Sequence, residues 1–541
     1  MNRSVHYLSG AMLVALAVSM TSQWGVAADS RPNILVVMVD DMGYSDLGCY
    51  GSEIQTPNLD QLASEGIRYT QMYNTSKCWP TRISLLTGIY HHRSDRDFAR
   101  TAMAGEVLRP AGYHTWWAGK HHADFNPHDR GFDHFSGFLG GAINFWNPGD
   151  RAREGEPEPG WRATYSWAFD DKIVKPFVPD KSFYATDAFT DWALSWLDES
   201  KSDGGDVEKP FFLYLAYNAP HWPLHAHPED IARYKGVYDG GYDAIRRARY
   251  ARQVKMGLFD PETAPLSDPE ASGIGTWASI SEADRHKESM RMSIHAAMVD
   301  RVDQNVGRLV AKLRQMREFE NTLILFLVDN GASAERPNAK GAPPQPWGSV
   351  GTFEAIGKNW ANVADTPMRF WKMTSYEGGV NTPMIAHWPR GIAKTMQGEF
   401  YREPCHLIDM LPTWMELAGS TARYPGESSQ TDIAPLDGIS IIPSFAGRSF
   451  NRERPLFFQF GKGKAVHDGD WKLVRNGSEP WELHNLADAR TETQNVASSH
   501  PDRAQKMQEA WHQWYQQCTG KKYVEPVKKP RRKNSENQTR K

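Results

Sequence analysis

The sequence predicts an α/β protein. We expect a large central sheet, mostly parallel or mixed, flanked by helices, and a smaller C-terminal subdomain with an antiparallel sheet and a helix. Three observations predict this fold class. Continuous apolar, β-branched runs recur in the first part of the chain, as in strands buried on both faces of a sheet. Segments with helical spacing of apolar residues lie between these runs. After about residue 400 the pattern changes to short strand-like segments.

Three apolar runs predict buried strands, at residues 33–39, 210–217 and 322–328. Polar residues follow each run directly, namely Asp40 and Asp41, then Asn218 to His221, then Asp329 and Asn330. Open α/β sheets bind their ligands outside the carboxyl ends of the strands. Because all three strands end in this way, the sequence predicts a shared site at one edge of the sheet.

Helices that cover the sheet are expected at residues 59–65, 184–197 and 294–316. The first would have Asn58 as its N-cap and Gly66 as its stop signal. Beyond residue 400 we expect a helix-like stretch at 406–419, a polar loop at 420–431, short strands at 456–460 and 471–474, and a final amphipathic helix at 503–515. The predicted division is 29–399 for the larger domain and 400–518 for the C-terminal subdomain.

Both ends of the chain carry their own signals. Arg3, an apolar stretch at 11–20 and the small residues Val26 to Ala28 predict a removable secretory signal at 1–28, and therefore an exported protein, periplasmic or secreted. The stretch is too short to suit a membrane anchor, and no later segment predicts a membrane span. Residues 521–541 carry nine Lys or Arg and two Glu, so 519–541 is predicted to be a basic disordered tail.

The composition is that of an ordinary globular protein, with 40% hydrophobic and 23% charged residues and a formal net charge of -3. Outside the tail there is no basic motif, so nucleic acid is not an expected partner. Four cysteines in so long a chain do not form a disulfide scaffold. Cys49, Cys405 and Cys518 are buried thiols, or two of them pair.

Asp40, Asp41, Asp329 and Asn330 supply hard oxygen donors, which suit Ca²⁺ or Mg²⁺ rather than zinc. Alone, each pair is also typical of a turn or a helix cap. Cys78 precedes Pro80 and Arg82, in a pattern that predicts a helix beginning here with proline in its first turn. A helix N-terminus favours an anion, and Arg82 adds a bidentate donor. A lone buried cysteine is otherwise structural.

The remaining candidates are cations and imidazoles with weaker signals: Lys120, His121, His122, His221 and Lys372. A lone histidine is most often a satisfied structural residue, and a lone lysine is normally solvated.

Taken together, the motifs resemble the sulfatase family of the alkaline-phosphatase-like superfamily. The resemblance covers about residues 31–496. Its most specific part is Cys78-x-Pro80-x-Arg82-x-x-Leu85-x-Thr87-Gly88, which matches the formylglycine signature; Gly112-Tyr113-x-Thr115 with Gly119-Lys120-x-His122 matches the second signature. Two positions depart from the family pattern: Trp79 stands where a small residue is usual, and His121 where an aromatic is usual. Spacing selects His122 over His121.

The resemblance implies a sulfuric ester hydrolase of the arylsulfatase type, acting on a sulfated small molecule or glycan. It implies that a formylglycine-generating or sulfatase-maturating enzyme oxidises Cys78 to formylglycine, and that one Ca²⁺ is bound, with Mg²⁺ as the alternative. The implied metal ligands are Asp40, Asp41, Cys78, Asp329 and Asn330. The implied catalytic residues are Cys78, Arg82, Lys120, His122, His221 and Lys372. The rival functions are a phosphate or phosphonate monoester hydrolase of the same superfamily and an inactive relative that binds sulfated glycans.

Overall fold

The computed structural model describes residues 31–94, 98–161, 165–202, 209–338, 345–420, 424 and 432–524. The predicted signal at 1–28, nearly all of the predicted loop at 420–431 and the predicted tail from residue 525 lie outside the described residues. In the part described, no helix combines the length and the apolar character that a membrane span requires.

A large mixed sheet and a small antiparallel sheet form the core of the fold. The strands are β1 (Asn33–Val39), β2 (Ile67–Tyr73), β3 (His114–Lys120), β4 (His134–Phe138), β5 (Trp167–Phe169), β6 (Lys172–Val174), β7 (Phe211–Ala216), β8 (Thr322–Val328), β9 (Asn381–His387), β10 (Glu399–Tyr401), β11 (Cys405–His406), β12 (Leu456–Phe460), β13 (Gly463–Asp468), β14 (Trp471–Asn476) and β15 (Glu482–Asn485). The large sheet has the order β10-β2-β9-β8-β1-β7-β3-β4-β5-β6, with β11 also paired to β2, and the small sheet has the order β12-β13-β14-β15.

Helices cover both faces of the large sheet, as a sheet of buried strands requires. The helices of the described residues are α1 (Pro57–Ser64), α2 (Cys78–Thr87), α3 (Ala104–Leu108), α4 (Ala185–Ser202), α5 (Pro228–Arg233), α6 (Gly241–Lys255), α7 (Glu282–Met316), α8 (Gly357–Ala364), α9 (Glu377–Val380), α10 (Met410–Leu417) and α11 (Pro501–Thr519). Of these, α11 packs against the small sheet instead.

Strand β1 lies in the middle of the large sheet, and it pairs in parallel with β7 on one side and β8 on the other. Its side chains alternate between two cores. Leu35 and Val37 pack in the core that includes residues of α4 and α7. Ile34 and Val36 pack in the core that includes residues of α2 and α10. A strand buried on both faces has no polar side, which explains its continuous apolar sequence.

The structure confirms the predicted fold class and the three predicted strands. Strands β1 and β8 have the predicted bounds, and β7 lies within the predicted 210–217. The predicted cap of α1 is wrong. The N-cap is Thr56, and proline at the first helical position begins the helix. The Asn58 side chain instead donates 2.8 Å to a carboxylate oxygen of Asp303 on α7.

The C-terminal sheet and α11 enclose a third apolar core, which includes Leu473, Trp511 and Trp514. The antiparallel pairing of β12 to β15 confirms the predicted small sheet. Strands β10 and β11 pair with β2 of the large sheet although they lie near and beyond residue 400. The domain boundary at 399/400 therefore stays a prediction.

Candidate active site

The carboxyl ends of β1, β3, β7 and β8 meet at one edge of the large sheet, because these neighbouring strands are all parallel. Asp40 and Asp41 follow β1, and Asp329 and Asn330 follow β8. Lys120 is the last residue of β3. The backbone N–H of Asp329 donates 3.2 Å to the carbonyl of Val39, so the loops after β1 and β8 leave the sheet together.

Cys78 is the first residue of α2, and its helix begins where the sequence predicts. Its Sγ and carboxylate oxygens of Asp40 and Asp329 all lie within 4.8 Å of one another. A second set, formed by Asp40, Asp41 and His221, meets the same limit. All these residues are buried. The structure thus brings the thiol, the acidic candidates and His221 together from four separate segments.

Three buried cations neutralise the three carboxylates one by one. Arg82 donates 3.0 Å from Nη2 to Oδ2 of Asp329. Lys120 contacts Oδ2 of Asp40, and Nζ of Lys372 lies 2.5 Å from Oδ1 of Asp41. A buried charge is tolerated when it is paired and hydrogen-bonded, so this arrangement explains why lysines are found in the interior.

The pairing sets the pKa values of the carboxyl groups. Burial alone would raise the pKa of Asp40, but Lys120, His221 and Arg82 hold it well below its usual range. Burial likewise would raise the pKa of Asp41, yet His221 and Lys372 lower it. For Asp329, burial and the nearby Asp40 charge prevail over Arg82 and raise the pKa to about 7. The nearby cations therefore keep Asp40 and Asp41 ionised, whereas Asp329 is ionised less readily.

His221 presents one nitrogen to this cluster. Its Nδ1 lies 2.6 Å from the carbonyl oxygen of Trp222, and because a carbonyl only accepts, Nδ1 carries the proton. Burial lowers the pKa of His221 to about 4, so the ring is neutral near pH 7 and Nε2 is unprotonated. That nitrogen lies 3.4 Å from Oδ2 of Asp41. Two electron-rich atoms therefore face each other, an arrangement that favours a cation or a proton between them.

The two neighbouring histidines after β3 lie in different surroundings. The ring of His121 is buried among Trp117, Phe125 and Phe135, and burial lowers the pKa of this histidine to about 3. The ring of His122 lies over Gly141, where a Cβ would come within 2.5 Å of Nε2. The aromatic enclosure of His121 agrees with the choice of His122 from spacing, and the catalytic role of His122 stays a prediction.

Trp79, the unusual residue after Cys78, packs away from the carboxylates. Its ring lies 5.7 Å from that of His91 and 6.1 Å from that of Phe460 on β12. The bulk of Trp79 is thus accommodated between α2 and the small sheet.

Two residues that support the site were not predicted from the sequence. The Tyr214 hydroxyl accepts from Arg82 at 3.2 Å. Asp365 accepts 3.2 Å hydrogen bonds from the backbone N–H groups of Tyr44 and Ala332, which lie in the loops after β1 and β8. A tyrosine within an otherwise apolar strand is a weak signal for Tyr214. Asp365 stands in a turn-like Ala-Asp-Thr-Pro sequence that gives no signal.

The cluster fits a divalent cation. Oδ1 of Asp40, Oδ2 of Asp41 and Oδ1 of Asn330 are buried and have no hydrogen-bond partner among the described residues. Buried polar atoms without partners are rare and indicate a missing ion or water. Carboxylate and amide oxygens together are the donors that Ca²⁺ and Mg²⁺ prefer.

Comparison with known proteins agrees with this geometry. The family model described as Sulfatase matches residues 32–420. The chain belongs to the sulfatase family. It is a sulfuric ester hydrolase, as the names of its relatives also indicate. The arylsulfatase of Klebsiella aerogenes is 32% identical over 79% of this chain and 95% of that protein. An uncharacterised sulfatase of Schizosaccharomyces pombe is 31% identical over 90% of this chain and 93% of that protein.

Solved structures share the fold of this sulfatase. The crystal structure of Ps i-CgsB in complex with k-i-k-neocarrahexaose superposes with a TM-score of 0.63 at 25% sequence identity. The match covers 90% of this chain and 93% of that one. The shared fold therefore covers most of the chain.

Proposed function

We propose that this sulfatase hydrolyses sulfate monoesters of carbohydrates, with Cys78 oxidised to formylglycine and one divalent cation, Ca²⁺ rather than Mg²⁺, at the site. The observation that carries the proposal is the meeting of the Cys78 sulfur with Asp40 and Asp329 within 4.8 Å. A structural cysteine has no need of two buried carboxylates beside it. A residue that is to be modified and to act next to a cation does.

The proposed ligands of the cation are Asp40, Asp41, Asp329, Asn330 and the modified side chain of residue 78. Three of them carry the unpartnered oxygen atoms described above. When bound, the cation would offset negative charge on the sulfuryl oxygens in the transition state. The protein's own cations would act in the same place: Arg82, Lys120 and Lys372 all converge on this cluster, where preorganised charges stabilise a developing anion.

Oxidation of Cys78 would supply an aldehyde whose hydrate offers the attacking oxygen, and whose second hydroxyl lets the sulfate be released by cleavage of the C–O bond. Residue 78 is the first residue of α2, and the positive end of the helix dipole there favours an anionic group. We assign His122 to the release step.

The leaving oxygen of the ester needs a proton or a hydrogen bond as its charge grows. His221 lies next to Asp41, and its fixed Nδ1–H to carbonyl contact directs Nε2 toward the cluster. In its neutral form His221 has no proton on Nε2, so it can serve the leaving oxygen only after Nε2 has taken up a proton, which the anionic ester beside it would favour. Burial would lower the pKa of Lys372, but Asp41 raises it, so this lysine already carries its protons near pH 7. We therefore assign the leaving oxygen to protonated His221 and to Lys372 as a second donor.

A sugar is the proposed leaving group because aromatic rings lie beside this histidine. The Trp222 ring lies 4.8 Å from that of His221. It also packs 5.1 Å from the ring of Trp161 and 5.3 Å from that of Phe353. Indole rings stack well on the apolar faces of sugars. The related structure of Ps i-CgsB holds an oligosaccharide, k-i-k-neocarrahexaose.

Export of the enzyme is also part of the proposal. The predicted signal at 1–28 would place the enzyme outside the cytoplasm, where it would meet external glycans.

The test is a panel of sulfated mono- and oligosaccharides, with free sulfate measured by ion chromatography. The enzyme is produced together with a sulfatase-maturating enzyme, and the Cys78→Ala variant serves as the matched control. We expect sulfate release by the wild type and none by the variant. Matched phosphate monoesters are assayed in parallel. Faster release of phosphate than of sulfate would favour the rival phosphate or phosphonate monoester hydrolase and reject the proposal.

A further inference from the structure

A cluster of buried charges joins the small C-terminal sheet to the loop that carries Lys372. Glu377, Lys472 and Glu492 have fully buried side chains, and Arg490 is 12% exposed. Lys472 is on β14, whereas Glu377 is the first residue of α9. The positions are far apart in sequence, so a cluster of this kind cannot be predicted from local motifs.

Glu377 is the centre of the cluster. Its carboxylate accepts 2.7 Å from Nζ of Lys472, contacts Nη1 of Arg490, and accepts 3.1 Å from the Tyr73 hydroxyl. Its backbone N–H donates 2.8 Å to Glu492. Burial alone would raise the pKa of Glu377, but Arg490 and Lys472 lower it far below the usual range. The carboxylate is thus ionised and held on several sides.

The segment that Glu377 anchors is residues 369–380, which we call the lysine segment. It contacts the active site at three points through its backbone. Lys372 N–H donates 3.1 Å to the carbonyl of Ala332, just after the candidate ligands Asp329 and Asn330. Met373 N–H donates 2.9 Å to Ser76, two residues before Cys78. Gly331 N–H donates 3.2 Å to the carbonyl of Gly379.

The contact of the lysine segment with the loop after β8 leaves no space for adjustment. A Cβ on Gly331 would lie 1.8 Å from the carbonyl oxygen of Gly378. The lysine segment is also tightly packed within itself, since a Cβ on Gly379 would lie 2.2 Å from the carbonyl oxygen of Thr374. Two backbones packed this closely move together, because close-packed interiors transmit displacements. A shift of the lysine segment would therefore move Lys372 and the loop of Asn330 at the same time.

We propose that Lys472 and Arg490 of the C-terminal sheet region are positioning residues, which hold Glu377 and thereby fix Lys372 and the loop after β8 in the active site. This inference rests on the proposed function, in which Lys372 contacts the sulfate ester. The C-terminal sheet then contributes to catalysis without touching the substrate. Displacement of a catalytic group by about 1 Å is enough to reduce turnover strongly.

The test compares two buried cations of the C-terminal part. Lys472→Met removes a cation that holds the lysine segment. Arg452→Met removes a cation paired with Asp409, which is also fully buried. The Asp409 carboxylate accepts from the backbone N–H groups of His406 and Ile439. Arg452→Met therefore also loses stability because a buried ion pair is broken, but at a different place in the fold, outside the lysine segment.

Two properties of the matured, Ca²⁺-loaded enzymes are measured. Hydrogen exchange of peptides covering residues 369–380 is followed without substrate, and kcat and KM are determined with an aryl sulfate. For Lys472→Met we expect exchange about tenfold faster in the lysine segment. We also expect kcat about tenfold lower with little change in KM, since a misplaced Lys372 costs most in the transition state. For Arg452→Met we expect the exchange of the lysine segment and kcat to stay within about twofold of the wild type, although its melting temperature should be similar to that of Lys472→Met.

A milder pair covers the case in which Lys472→Met does not fold. Tyr73→Phe removes one hydroxyl from Glu377, and Tyr69→Phe, on the same strand, removes one that contacts Ser444 at 2.6 Å. Only Tyr73→Phe is expected to speed exchange of the lysine segment, by about twofold to threefold. The proposal would be overturned if the two variants of either pair changed the exchange of the lysine segment equally, or if exchange at 369–380 did not change at all. Hydrogen exchange is measured without substrate. A wild-type enzyme that releases no sulfate would therefore reject the proposed function, while the exchange data would still test whether Lys472 holds the lysine segment.

Discussion

The pair of Arg82 and Asp329 offers a quantitative test of the charge balance in the active site. The two groups are 3.0 Å apart and completely buried. With an effective dielectric constant of about 20, charges at this distance attract by roughly 5.5 kcal/mol. Arg82→Met removes a cation that lowers the pKa of Asp329, so the carboxyl group must either stay buried as an unpaired charge or take up a proton. Either outcome costs free energy, and we expect the free energy of unfolding to fall by about 3–5 kcal/mol.

The coupling is measured by a double-mutant cycle with Arg82→Met, Asp329→Asn and the double variant. Urea unfolding is followed in the presence of EDTA at about pH 8, above the pKa of about 7 of Asp329. The double variant leaves neither charge alone, so it should cost less than the sum of the single variants by about 2 kcal/mol or more.

The control is Arg308→Met, which removes the exposed partner of Asp191. An exposed pair of this kind contributes about 0–1 kcal/mol. If the single costs in the Arg82 cycle add within about 0.5 kcal/mol, the two groups are not coupled and our account of the charge balance is refuted.

Three further predictions follow from the site and the fold. Asp40→Asn should weaken Ca²⁺ binding by about tenfold or more in titration calorimetry, because it removes the charge from a ligand with an unpartnered oxygen; unchanged affinity would contradict the proposed ligand set. Cys78→Ala should abolish turnover while circular dichroism and the melting temperature stay near those of the wild type; residual activity close to that of the wild type would exclude the covalent mechanism. Burial raises the pKa of Asp303 to about 6, against hydrogen bonds that lower it, so the folded state retains a proton that the unfolded state loses near pH 4. The free energy of unfolding of the wild type, relative to that of Asp303→Asn, should therefore decrease by up to about 3 kcal/mol as the pH rises from about 4 to about 6. A difference between the two proteins in urea unfolding that does not change with pH would contradict this.

Much of the site could be predicted because it lies at the ends of strands that are easy to recognise. Continuous apolar runs such as β1 and β8 are buried on both faces, and a polar residue directly after such a run must leave the sheet at its edge. Asp40 and Asp329 are therefore visible in the sequence. Cys78 is visible because proline and arginine follow it in a fixed spacing at the start of a helix.

Other features depend on contacts that no local pattern records. The partners of Glu377 come from β2, β14 and the segment after β15, and a buried lysine such as Lys472 has no mark that separates it from a surface lysine in sequence. The predicted N-cap of α1, Asn58, was wrong for a similar reason. Asn58 is a good capping residue, but its side-chain amide donates to Asp303 on α7, and the helix begins at Pro57, two positions before the predicted start.

In the proposed mechanism the thiol of Cys78 becomes an aldehyde next to a bound cation. The most direct measurement is the mass of the peptide that contains residue 78, taken from enzyme that releases sulfate and was made together with a maturating enzyme. We expect formylglycine in place of cysteine, in a fraction that rises in proportion to the specific activity. A fully active enzyme whose peptide still carries the intact thiol would contradict it.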